Sequence, residues 1–147
     1  MGILLDIEKI CEVANEYFEK NGRTEKFIQL ENFIISTKNA YFIRNFALKV
    51  EGSDINKLAD EIIATKKAEY IFYFAKDINR ADVNKLTEAI IDTKNARYIF
   101  LFAQFIKDAD KNKLEKALKI IANETSSKKK DNKTKDGKMD DIIETIK

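Results

Sequence analysis

Histidine and tryptophan are absent from the 147 residues, and cysteine occurs once, at Cys11. A histidine-based nucleophilic triad is therefore excluded, a Cys/His zinc site cannot be assembled, and the commonest general acid–base residue is missing. A single cysteine rules out an internal disulfide and fits a reducing compartment. Lying among Ile7, Ile10 and Ala14 on an apolar helix face, Cys11 reads as a core thiol. Carboxylates and lysines remain, but no spacing marks them as catalytic. Asp140 and Asp141, side by side, would diverge by about 100° on a helix and read as partners of a helix start. The expectation is a chain with no enzymatic role, no cofactor and no metal.

Long apolar runs are also missing; nothing approaches the roughly 18 residues of a membrane span. The start MGILLDIEK has no basic segment ahead of its apolar residues and no small-residue cleavage site behind them, so it does not read as a secretory signal. Asp6 stands where the myristoylation pattern needs Ser or Thr. A soluble, cytoplasmic protein without membrane contact is expected. Strong charge of one sign is lacking too: the net charge is +2, with 27 basic and 25 acidic residues. Only Arg23, Arg44, Arg80 and Arg97 among the basic residues are arginine, the side chain best suited to bidentate recognition of phosphates and bases.

What is present is a repeat. Residues 38–65 read KNAYFIRNFALKVEGSDINKLADEIIAT, residues 66–93 read KKAEYIFYFAKDINRADVNKLTEAIIDT, and residues 94–121 read KNARYIFLFAQFIKDADKNKLEKALKII. They align without a gap at a period of 28. Identical columns include Ala40/Ala68/Ala96, Ile43/Ile71/Ile99, Phe46/Phe74/Phe102, Asp54/Asp82/Asp110 and Leu58/Leu86/Leu114. A degenerate copy precedes them within 1–37, as expected of a terminal repeat that faces solvent on one side.

In each unit the apolar columns at 42, 43, 46, 47 and 50 recur at helical spacing and predict a helix A from Ala40 to Val50. Columns 55, 58, 59, 62 and 63 predict a helix B from Ile55 to Ala64. Asp54, Asp82 and Asp110 stand where an N-cap accepts from free backbone N–H groups, a contribution of about 1 kcal/mol each. Asn39 and Asn95 are placed to cap helix A, while Lys67 breaks that pattern. A longer helix is predicted over Ile3–Lys20, ended by Asn21-Gly22, with a partner from Thr24 to Ile35. Short connections force consecutive helices to lie antiparallel and adjacent. The fold expected is all-α: a right-handed α-solenoid of four two-helix repeats, eight helices in all, over residues 1–123.

After that the composition changes. Residues 124–138 carry no large apolar side chain and read as a flexible, lysine-rich linker. Residues 139–147 place Met139, Ile142, Ile143 and Ile146 on one stripe of a short amphipathic helix, too short to be stable alone. Three uses are open: docking on its own solenoid, binding in a groove of another chain, or none. The three isoleucines favour docking over a passive tail.

The unit Asp-x-Asn-Lys-Leu-x-x-x-Ile-Ile-x-Thr-Lys-Asn-Ala-x-Tyr-Ile-x-x-Phe-Ala, over residues about 10–121, resembles HEAT-like α-helical repeats, in a short form similar to arrays in low-GC bacteria and their phages. That resemblance implies a stacked two-helix scaffold that binds proteins or, in some branches, nucleic acid. It further suggests an inhibitor or adaptor of phage or mobile-element origin acting on a host protein complex. It implies no catalytic residues.

Two surfaces are candidates. Projection of helix A puts columns 41, 44, 45 and 48 opposite the shared apolar columns, and there Tyr41, Arg44, Phe72, Tyr73, Arg97, Phe100, Leu101 and Phe105 would form a partner-binding strip. The alternative is that Phe72 and Phe100 fill gaps between neighbouring helices. The second surface is a pair of lysine ladders, Lys57, Lys85 and Lys113 on helix B and Lys38, Lys66 and Lys94 in the preceding turns, spaced to track a nucleic-acid backbone. Interleaved acids such as Asp60 and Glu88 argue for a solvated face instead. Asn56, Asn84 and Asn112 could hold an extended peptide, but their place after a cap favours local backbone bonding.

Overall fold

The computed structural model describes residues 6–128, and within them the protein is all-α, with eight helices and no strand. In chain order these are α1 (Ile7–Asn21), α2 (Glu25–Ser36), α3 (Ala40–Lys49), α4 (Ile55–Ala64), α5 (Ala68–Asp77), α6 (Val83–Asp92), α7 (Ala96–Phe105) and α8 (Lys111–Lys128). Three-residue connections at 37–39, 65–67 and 93–95 alternate with five-residue ones at 50–54, 78–82 and 106–110. The linker expected beyond residue 128 and the helix expected over 139–147 lie outside the described residues.

Local chemistry sets the helix starts. Asp54, Asp82 and Asp110 each accept from the backbone N–H three residues on, Lys57, Lys85 and Lys113, at 3.1 Å. Asn39 and Asn95 do the same for Phe42 and Tyr98, again at 3.1 Å. Asp6 caps α1 through Lys9 N–H, whereas Thr24 occupies the N-cap position of α2 without a side-chain bond.

The helix B ends reuse one device. Thr37 and Thr93 donate their hydroxyls to the carbonyls of Ile34 and Ile90 and accept from the N–H of Asn39 and Asn95. The residue between, Lys38, Lys66 or Lys94, takes a positive φ of 55°, 58° or 56°, a left-handed turn that redirects the chain toward the next helix A. Helix A instead stops one residue earlier than predicted: Val50 and Ile106 are extended caps whose N–H groups donate to Phe46 and Phe102 carbonyls. Their side chains are buried all the same, so the column is apolar for packing, not for helix.

The chain divides into two compact units, one of Met1–Thr65 with Asp77–Ala81 and the other of Lys66–Lys76 with Asp82–Lys147. The edge between Thr65 and Lys66 falls on a repeat boundary. In the first unit α1, α2 and α3 pack on one another and α4 packs on α3; in the second, α6, α7 and α8 pack together. In both, the repeated columns are the core: Phe46, Phe74 and Phe102 are fully buried, as are Leu58, Leu86 and Leu114. Each such side chain contributes about 1.5–3 kcal/mol by leaving water.

The first unit adds a buried polar anchor. Glu31 is fully buried and receives both Arg23 guanidinium nitrogens, at 2.8 and 3.0 Å, and the Asp54 N–H at 2.8 Å. Arg23 also donates to the Gly52 carbonyl and lies 5.1 Å over the Phe27 ring. The Glu31 hydrogen bond, with the negative charges of Glu31 and Asp54, holds the Arg23 guanidinium above its ordinary pKa against a smaller opposing effect of burial. Gly52 is required for close approach, since a Cβ there would overlap the Phe18 ring.

The C-terminal boundary differs from expectation. α8 runs on to Lys128, so the first five residues of the expected linker, from Glu124, are helical. Once the packed turns of Leu114, Ala117, Leu118 and Ala122 have met the cost of nucleation, extending by polar residues needs only propagation.

Candidate functional site

The exposed line of helix A is narrower than projection suggests. Columns 41 and 48 face solvent in all three repeats, as Tyr41/Glu69/Arg97 and Leu48/Lys76/Gln104. Columns 44 and 45 are covered to differing degrees: Phe72 and Asn45 are buried, Arg44, Phe100 and Leu101 half-buried, and Tyr73 exposed. Asn45 is buried and donates to the Tyr41 carbonyl at 2.8 Å.

In the first unit Tyr41 is 56% exposed and meets the Phe42 ring edge-on at 6.0 Å. Arg44 is drawn into an ion pair with Asp77 at 3.1 Å, both half-buried. It is therefore a structural link as well as a candidate contact.

The second unit carries the denser aromatic patch, with one correction to the strip. Phe72 is only 3% exposed and cannot touch a partner directly; it fills a gap, as the alternative reading held. Its ring is the base of a cluster, 5.1 Å from Tyr73, 5.9 Å from Tyr98 and 6.5 Å from Phe105. Over that base Tyr73 is 38% and Phe105 58% exposed. Phe100 and Leu101 are half-buried. Two cations complete the rim: Lys76 Nζ lies 5.9 Å from the Tyr73 ring centre and Arg97 Cζ 5.7 Å from that of Tyr98. Rings fixed from below, apolar edges open above and cations beside them are suited to gripping an apolar or acidic segment of a protein. Sequence reasoning missed Tyr98 and Lys76. Tyr98 shares the helix A column of Phe42 and Tyr70, which by periodicity alone reads as core.

The lysine ladders are less open than their spacing implies. Lys57 donates to Asn32 Oδ1 at 2.6 Å and stands 3.7 Å from the Glu31 carboxylate. Lys113 pairs with Glu88, and Lys38 with Glu61 at 3.1 Å. Lys66 and Lys94 are exposed at their left-handed turns, and Lys85 is half-buried. Asn56, Asn84 and Asn112 are exposed.

Elsewhere, burial pushes the Cys11 thiol up to about 11, against a smaller downward pull from Lys49 and a push from Glu8. It is buried and protonated at neutral pH, an inert core group. Among the described residues no group of three or more Cys, Asp or Glu is gathered to hold a metal ion. No helix there is long and apolar enough to cross a membrane. Comparison with protein-family models, curated proteins and solved structures finds no match to this chain.

Proposed function

We propose that this protein is a non-catalytic interaction module, a right-handed α-solenoid of HEAT-like character, whose α5 and α7 surface grips a protein partner. The observation that carries the reading is the aromatic cluster built on buried Phe72, with Tyr73 and Phe105 open to solvent and Lys76 and Arg97 beside the rings. A preformed aromatic platform binds with little loss of side-chain freedom, and aromatic residues dominate protein-interface energetics. On the resemblance to phage-associated arrays, the partner is a component of a host protein complex in the cytoplasm, and the module is an inhibitor or adaptor.

The test is affinity capture from host extract, with and without nuclease, using the wild-type chain and the Tyr73→Ala/Phe105→Ala variant. Both side chains are open, so the melting temperature should change little while capture of the partner falls at least tenfold. Unchanged capture, or a loss that tracks a fall in stability, contradicts the reading.

Nucleic-acid binding through Lys38, Lys66, Lys94, Lys57, Lys85 and Lys113 ranks second, because carboxylates hold Lys38, Lys57 and Lys113. Capture that disappears with nuclease, shows steep salt dependence and is abolished by charge reversal at Lys57, Lys85 and Lys113 would reverse that order.

A further inference from the structure

The second unit contains a groove of about 270 Å³ beside α8, and its composition departs from the repeat in one consistent direction. Ile91, Ile120 and Ile121 line it, with Ala117, and Lys94, Lys113 and Lys116 stand around it; Glu124 is the one carboxylate. Ile120 is 59% exposed, the most open of the large apolar side chains there. In the earlier repeats the column of Ile120 holds Ala64 and Asp92, and that of Ile121 holds Thr65 and Thr93. The column of Lys116 holds Asp60 and Glu88. Against the second repeat, the third has thus replaced Asp92 and Thr93 by isoleucines and the acid Glu88 by a base at the same place.

Glu88 shows what the lost acid does, since it takes Lys113 from the next helix B. At Lys116 that role is inverted. A lysine from a further repeat would be repelled, and residues after Ile121 do not continue the repeat. What suits this surface is an apolar stripe flanked by acids.

The chain supplies one. Residues 139–147, Met-Asp-Asp-Ile-Ile-Glu-Thr-Ile-Lys, place Met139, Ile142, Ile143 and Ile146 at spacings of three, one and three. Those are the spacings of the buried Ile43, Phe46 and Ala47 of α3 and of Val50 at its extended cap. Asp140, Asp141 and Glu144 give the segment three negative charges against the single positive charge of Lys147, complementary to Lys94 and Lys116 in the groove, where Lys113 is already paired with Glu88. Reach is sufficient. Ile120 lies eight residues before the end of α8, about 12 Å along the helix, and the ten residues 129–138 span up to about 33 Å when extended.

We propose that residues 139–147 dock into this groove of their own chain as a short helix, lying along α8 beside the end of α6, on columns that the earlier repeats leave open to solvent at Asp60, Ala64, Glu88 and Asp92. The segment covers Ile120 and Ile121, and its acids face Lys94 and Lys116. The proposal is independent of the aromatic platform on α5 and α7.

Two measurements on the full chain test it. In the unsubstituted protein, hydrogen exchange is expected to show the amides of Ile142–Ile146 protected at least tenfold over a free peptide of residues 139–147; equal exchange overturns the proposal. In a Cys11→Ala background, with the helical spectrum unchanged, Ile120→Cys and Ile143→Cys should form an intramolecular disulfide at low protein concentration. The rate should be at least tenfold that of a Gln104→Cys/Ile143→Cys control, whose first cysteine lies outside the groove on α7. Lys116→Glu should slow the reaction and Asp141→Lys in the same chain restore it. Equal rates for the two pairs overturn docking, and a disulfide found only between chains makes the occupant a second copy.

Discussion

Lys38, Lys66 and Lys94 hold the left-handed turns that a glycine or asparagine would enter more readily. A side chain there costs about 1–2 kcal/mol. Glycine would offset part of that gain by its greater freedom in the unfolded chain. Lys66→Gly should therefore raise stability by no more than about 1 kcal/mol in urea unfolding; a loss would mean that the lysine stem packs on its surroundings. The buried carboxylate of Glu31 sits at the other extreme. Glu31→Gln retains shape but removes the charge that receives Arg23 twice, and since the guanidinium still reaches water the expected cost is about 1–3 kcal/mol in the same measurement. Cys11 carries a pH signature. Its thiol ionises near pH 11 in the folded chain against about 9 ordinarily, so the folded state holds the proton longer and the stability tied to it falls as pH rises from about 9 to 11. The Cys11→Ala variant should show a shallower decline across that window in thermal melts, and native Cys11 should resist alkylation at pH 8.

Among the elements, the helix B starts depend on one carboxylate each. Asp82→Ala frees the Lys85 N–H and should destabilise by about 1 kcal/mol, with Asp82→Asn losing less, as read from chemical denaturation. These elements were the most legible part of the sequence. Helix B was predicted over Ile55–Ala64 and found there, since three aligned copies give three readings of one apolar pattern and one cap. Helix A was overrun by one residue because Val50 is buried beyond the helix, and burial and helicity share one hydrophobic signal. The continuation of α8 past Ile121 gave no such signal, because polar residues extend an existing helix without an apolar mark. The candidate surface was only half legible. Tyr41, Tyr73 and Phe105 are open, but Phe72 is buried: its column varies from Arg44 to Phe72 to Phe100, and variable columns do not reveal which side chain a neighbour covers. The left-handed lysines were read only as charges, since the residue type gives no hint of positive φ. The groove beside α8 was visible in principle. Comparing Asp60, Glu88 and Lys116 down one column exposes the reversal that reading along the chain conceals.

For the whole molecule, the governing proposal is that residues 28 apart are interchangeable parts. A chain of such parts would have a stability close to a sum over repeats and their interfaces. The most direct measurement is the excision of one period. A chain lacking residues 66–93, joining Thr65 to Lys94, should retain its helical content per residue and unfold cooperatively at a lower temperature. A chain lacking only residues 66–89 should not, because its later columns are four residues out of step. Both deletions unfolding alike, or the shorter one proving the more stable, would contradict the account.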